Sequence, residues 1–85
     1  MARASDVVKR VHPVYPLASR RRGEEGEVSL LASIGPRGEV ARVTVLESSG
    51  YTALDESALN AVRKWLFSPG TPEKLIVPVI FKLEQ

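Results

Sequence analysis

The sequence predicts an α+β domain with a three-stranded antiparallel sheet of order 2-1-3 and one long and one short helix packed on one face. Two kinds of segment predict it. Residues 27–34, 39–47 and 75–83 alternate apolar and polar side chains or are rich in β-branched ones, which is typical of strands. Residues 54–66 place apolar side chains at three- and four-residue spacing, which indicates an amphipathic helix.

Composition narrows the class of protein. Eighty-five residues suffice for one small domain with a modest core. The net charge of +2, from twelve basic and ten acidic residues, is too small to imply a nucleic-acid partner. The chain has no cysteine, which excludes disulfides and thiolate metal sites. No apolar run approaches the ~18 residues that a membrane-spanning helix needs.

The N-terminal part predicts one short helix. Residues 6–11 form either an extra short strand or an extended lead-in. Pro13 and Pro16 fix two backbone angles, and Pro16 also suits the start of a helix. We expect that helix over residues 17–22, with Gly23 ending it in the left-handed conformation.

The next two strands, over residues 27–34 and 39–47, are predicted to form a hairpin around the turn at residues 35–38. In the strand over residues 27–34, Leu31 makes the face opposite the core partly apolar. A strand that is apolar on both faces favours a central position in the sheet. The predicted core face of the first strand carries Val28, Leu30, Ala32 and Ile34, and that of the second strand carries Ala41, Val43 and Val45.

The long helix is predicted from a capping-box pattern between Thr52 and Asp55 and from a stop at residues 68–72. Its apolar stripe faces the sheet, and Trp65 and Phe67 are expected in the core. The stripe consists of Leu54, Ala58, Ala61, Val62 and Trp65.

The last strand, residues 75–83, carries Pro78 in its middle. A proline cannot donate a ladder hydrogen bond, so the strand belongs at a sheet edge. Placing it beside the first strand gives the order 2-1-3 with a right-handed crossover. A long apolar edge is a template for pairing with another chain. We therefore expect this strand either to be protected or to recruit a partner strand.

Catalytic, cofactor and metal sites are not predicted. His12 is the only histidine, and no Gly-x-Ser-x-Gly elbow accompanies it. The carboxylates are scattered, and the turn at residues 35–38 lacks the Lys-Ser/Thr of a phosphate loop. The cluster Arg20–Arg22 is interpreted as a solvated helix end. The residues thus favour a binding module over an enzyme.

Short motifs in a fixed order also support a family resemblance. They include Tyr15-Pro16, Gly26-Glu27-Val28, Gly38-Glu39-Val40, Val43-Thr44-Val45, Ser48-Ser49-Gly50, Leu54-Asp55, Ala61-Val62-Arg63, Trp65 and Val77-Pro78-Val79-Ile80-Phe81-Lys82-Leu83. Together they resemble the C-terminal domain of TonB energy-transducer proteins. The predicted division is an N-terminal lead-in over residues 1–12 and a TonB-like domain over residues 13–85.

The resemblance implies a function in Gram-negative bacteria. TonB proteins are anchored in the inner membrane, work with ExbB and ExbD on the proton gradient, and grip the TonB box peptide of an outer-membrane transporter. Iron-siderophore complexes or cobalamin then enter. This chain would be the periplasmic domain of such a protein, with the anchor, the proline-rich spacer and the ExbB/ExbD contact in a longer parent chain.

The resemblance also implies which residues bind the partner. Strand addition at the last strand assigns Lys74, Leu75, Ile76, Val77, Pro78, Val79, Ile80, Phe81, Lys82 and Leu83. The segment before Tyr15-Pro16 adds Arg10, His12 and Val14. Family members often have glutamine where this chain has His12.

Alternatives remain open at this point. A TonB-like envelope adaptor could bind a different protein or peptidoglycan. A small enzyme would need a role for His12. Two copies of the domain could pair or exchange their last strands.

Overall fold

The computed structural model describes residues 7–83. The start of the predicted lead-in, residues 1–6, and the end of the predicted domain, residues 84–85, lie outside the described residues. The elements, in chain order, are β1 (Val7–Lys9), α1 (Leu17–Arg22), β2 (Gly26–Ile34), β3 (Val40–Glu47), α2 (Thr52–Val62), β4 (Leu66–Phe67) and β5 (Lys74–Phe81). Among these elements, no helix is long and apolar enough to span a bilayer.

The main sheet has the order β3-β2-β5 and is antiparallel throughout. This confirms the predicted order 2-1-3 and the central position of β2. Alternate residues of β2 point into the core, where Val28, Leu30 and Ala32 are fully buried. The strand is buried on one side because α2 covers that face of the sheet.

Helix α2 buries the predicted stripe, and Trp65 and Phe67 also lie in the core. The helix is shorter than predicted at its C-terminal end. The Trp65 amide donates to the carbonyl of Val62, an i→i−3 bond that tightens the last turn. Beyond it, the amide of Phe67 donates to the carbonyl of Gly38 at 2.7 Å. The chain therefore leaves the helix to pair with the hairpin turn.

The N-terminal segment adopts the strand option of the two that the sequence allowed. β1 pairs antiparallel with β4, with Val7 opposite Phe67, and forms a second, two-stranded sheet. The sequence pattern did not indicate β4, because two residues cannot display a period.

Strand β3 departs from its predicted face. Val43 is buried, whereas Ala41 and Val45 are exposed. The pairing of β2 with β3 shifts register between Ser33 and Ile34 and again between Ser29 and Leu30. The two shifts insert Ala41 and Leu46 as extra β3 residues, and the inserted Ala41 loses its place on the core face. Val45 keeps its pairing opposite Leu30 and is nevertheless 37% exposed.

Candidate functional site

The edge formed by β5 is defined by its pairing with β2. The register runs from Gly26 opposite Phe81 to Ser33 opposite Lys74 without a shift. Within residues 7–83, β2 is the only strand that pairs with β5. The other long side of β5 is therefore free of any described strand.

Pro78 determines which backbone groups face that free side. Opposed residues of an antiparallel ladder alternately exchange both N–H···O bonds or neither. Pro78 lies opposite Ser29 and has no N–H, so this pair is of the unbonded kind. The amide of Ile34 donates to the carbonyl of Glu73 at 2.6 Å, which agrees with this phase.

The alternation divides β5 into two sets of residues. The odd-numbered residues turn their N–H and C=O groups towards β2. The even-numbered residues turn theirs to the open side, so that side presents the backbone of Lys74, Ile76, Pro78 and Ile80. We call this row of groups the β5 edge.

The side chains of β5 alternate between buried and exposed with the same period of two residues. Val77, Val79 and Phe81 point into the core, whereas Ile76 and Ile80 are 58% and 68% exposed. No charged residue lies between Leu75 and Phe81. Apart from Lys74, the residues whose backbone faces the β5 edge therefore also carry exposed apolar side chains, which a neighbouring strand would cover.

The opposite edge of the sheet, at β3, is interrupted. It has two register shifts, carries the charged residues Arg42 and Glu47, and begins at a bridge between Glu39 and Leu66. Bulges and charges of this kind are how proteins blunt an edge strand. Between Leu75 and Phe81 the β5 edge has neither feature.

Tyr15 connects the N-terminal segment to the end of β5. Its ring meets that of Phe81 edge-on, with 5.4 Å between the ring centroids. Its hydroxyl donates to the carbonyl of Glu24, and the guanidinium of Arg20 lies 5.9 Å from the ring centroid. Sequence reasoning did not assign Tyr15 to the site, although the motif Tyr15-Pro16 was the available signal.

Arg10, His12 and Val14 are positioned on another side of the domain. The Arg10 guanidinium lies 5.1 Å from the centroid of the Trp65 ring, whose Nε1 donates to the carbonyl of Val11 at 2.8 Å. The Ser57 hydroxyl donates to the carbonyl of Val14.

His12 and Val14 line a groove of about 530 Å³ against α2, together with Asn60 and Lys64. Arg10 thus contacts Trp65, Val14 contacts α2, and His12 lines the groove beside α2, whereas Tyr15 makes the contact to β5.

The remaining predicted site residues follow the strand. β5 ends at Phe81, two residues earlier than predicted. After it, the amide of Leu83 donates to Oε2 of Glu25 at 2.6 Å, and Lys82 is exposed. In the described part of the chain, no group of three or more histidine and acidic side chains is arranged to hold a metal ion.

The turn before α2 is fixed by Asp55. Partial burial raises the pKa of this carboxyl group, but hydrogen bonds from the Ser48 hydroxyl and from the Ser49 hydroxyl and amide outweigh burial and leave the pKa below its ordinary value. The Ser49 hydroxyl and amide lie 2.7 and 2.9 Å from Oδ1. The predicted capping box is replaced by this arrangement, and no side chain caps α2.

The fold and the open edge together define a class: a small α+β domain with a continuous edge that can accept an extended chain. Comparison with known proteins gives the family. The family model described as the Gram-negative bacterial TonB protein C-terminal matches residues 11–84. The chain belongs to this family, as the resemblance in the sequence indicated.

Named relatives and solved structures agree with the family. The chain is 40% identical over 84 residues to protein TonB of Vibrio cholerae, covering 92% of this chain and 34% of that protein. It is 38% identical over 77 residues to protein tonB2 of Pseudomonas aeruginosa, covering 84% of this chain and 28% of that protein. The chain thus spans about a third of the length of these relatives.

The fold matches solved TonB domains. The solution structure of the Pseudomonas aeruginosa TonB C-terminal domain superposes with a TM-score of 0.78 at 31% identity, over 95% of this chain and 90% of that one. The tonb2 protein of Vibrio anguillarum gives a TM-score of 0.75 at 28% identity, over 92% and 80%. The predicted α+β class is therefore confirmed.

Proposed function

We propose that this domain is the periplasmic, partner-binding end of an inner-membrane-anchored TonB-type energy transducer. It recruits the TonB box peptide of an outer-membrane transporter as an added strand on the β5 edge. ExbB and ExbD, acting on another part of the parent protein, supply the energy for uptake of siderophores or cobalamin. The observation that supports this most is the β5 edge, whose pairing with β2 has no register shift and which carries no charge between Leu75 and Phe81.

The backbone of the edge sets the strength of the complex. Lys74, Ile76 and Ile80 each offer an N–H and a C=O to an incoming strand, and Pro78 offers a C=O alone. Each new hydrogen bond contributes about 0.5–1.5 kcal/mol net, and ordering the peptide opposes the sum. Such a complex is specific in register but reversible. Reversible binding suits an energy transducer, which must bind the transporter and then release it.

Side chains add apolar contact. A strand on the β5 edge places every second side chain beside Ile76 and Ile80 on the solvent face of the sheet. Its other side chains approach the rim of the core near Phe81 and Tyr15. Selectivity for the peptide therefore comes from alternate apolar positions.

A titration of ¹⁵N-labelled domain with a TonB box peptide tests this function. We expect the amides of Ile76 and Ile80 to shift most, because they gain a hydrogen bond, and those of Val77 and Val79 to shift less, because β2 already holds them. Amides of β3 serve as the internal reference. If the amide signals of residues 76–82 do not shift when the peptide is added, the proposal is contradicted.

A pair of proline variants separates the two edges of the sheet. Ile80→Pro removes an outward N–H from β5 without removing a ladder bond to β2, and we expect about 3- to 10-fold weaker peptide binding. The matched control is Val45→Pro on β3. The same alternation turns the N–H of Val45 away from β2, since Leu31 pairs with Thr44 on the bonded phase. We expect Val45→Pro to leave peptide binding unchanged.

A further inference from the structure

The position of Pro78 on the β5 edge has a second consequence. We propose that Pro78 makes the edge selective for a foreign peptide over a second copy of this chain, by withholding one amide donor at the centre of the edge. The peptide half of this statement rests on the proposed function, whereas the self-pairing half does not.

The side chains of β5 favour self-pairing. Ile76 and Ile80 are both exposed and stand two residues on either side of Pro78. In an antiparallel pairing centred on Pro78, Ile76 of one copy lies opposite Ile80 of the other, an apolar cross-strand pair. Without opposing features, such an edge would be prone to pair with itself.

The backbone opposes self-pairing, and symmetry doubles the effect. In a two-fold antiparallel pairing of two β5 edges, each copy brings its own Pro78, so the ladder lacks two donors in every register. In the register centred on Pro78, both missing bonds fall in the same pair, and two carbonyl groups face each other without a donor. A foreign peptide without proline at that position supplies all its own donors, so its ladder lacks only one.

Charge acts in the same direction in this register. Lys74 of one copy lies opposite Lys82 of the other, and like charges directly opposite each other on a sheet are unfavourable. A foreign strand need not carry a lysine at either place. Pro78 and the two lysines thus act together against the copy, whereas the foreign strand lacks one donor and need not meet a like charge.

The test replaces Pro78 by valine, which restores the missing N–H and suits an exposed strand position. Sedimentation equilibrium measures self-association, and calorimetric titration with the TonB box peptide measures peptide binding. We expect Pro78→Val to strengthen peptide binding about 3- to 10-fold and self-association by about the square of that factor, because two donors are restored per dimer. Pro72→Val, at an exposed proline outside the strand, is the control and should change neither.

A double variant checks the cause. Ile76→Pro in the Pro78→Val background withholds a donor from the neighbouring outward position, and self-association should fall back towards that of the wild type. Self-association that Pro78→Val leaves unchanged, or strengthens no more than peptide binding, would overturn the inference. A wild-type domain that ignores the peptide would instead refute the proposed function, and the sedimentation result would still decide the role of Pro78.

Discussion

The contact between Gly38 and Phe67 allows a sharp test of how the hairpin turn and β4 hold together. Gly38 has φ +88°, a conformation that side chains disfavour. A Cβ atom added there would lie 2.8 Å from the carbonyl carbon of Phe67 and overlap its oxygen. The carbonyl of Gly38 also accepts the Phe67 amide at 2.7 Å. Gly38→Ala must therefore strain the backbone and separate these two segments.

The expected loss can be worked out by comparison with Gly50, which has φ +97° but no atom within 4 Å of an added Cβ. Gly50→Ala should cost only the conformational strain, about 1–2 kcal/mol. Gly38→Ala should cost that amount and about 1–3 kcal/mol more, because a hydrogen bond is lost between buried groups. Urea unfolding followed by the fluorescence of Trp65 measures both variants. Equal losses in the two would refute the reasoning.

Three further variants probe the packing that supports the site. Asp55→Asn should lower the free energy of unfolding by about 1–2 kcal/mol at neutral pH. Because the pKa of Asp55 is lowered in the folded state, the unfolding free energies of wild type and variant should converge as the pH falls below about 4. Parallel curves of unfolding free energy against pH would contradict this. Trp65→Phe should cost about 1–3 kcal/mol in urea unfolding followed by circular dichroism, because the bond to the carbonyl of Val11 is lost. Leu30→Ala, at a fully buried position, should cost about 2–5 kcal/mol, and a loss below 1 kcal/mol would show that the core relaxes around the gap.

The sequence by itself determined the parts of this protein that repeat along the chain. The alternation in β2 identified the central strand, the spacing from Leu54 to Val62 identified the face of α2, and Pro78 placed β5 at an edge. These features are encoded locally, because a strand repeats every two residues, a helix every 3.6, and proline lacks an N–H wherever it stands. The order of short motifs was enough to indicate the TonB family.

Tertiary structure alone decided the features that depend on contacts between distant residues. β4 exists because Phe67 bonds to Gly38 and pairs with Val7, and two residues carry no periodic signal. The bulges of β3 depend on its register with β2. The direction in which each amide of β5 points follows from the pairing of Pro78 with Ser29 on β2. The sequence of one strand does not reveal which residues of the neighbouring strand it bonds. The position of Tyr15 beside Phe81, with His12 turned towards α2, likewise follows from packing across the domain, which no local pattern records.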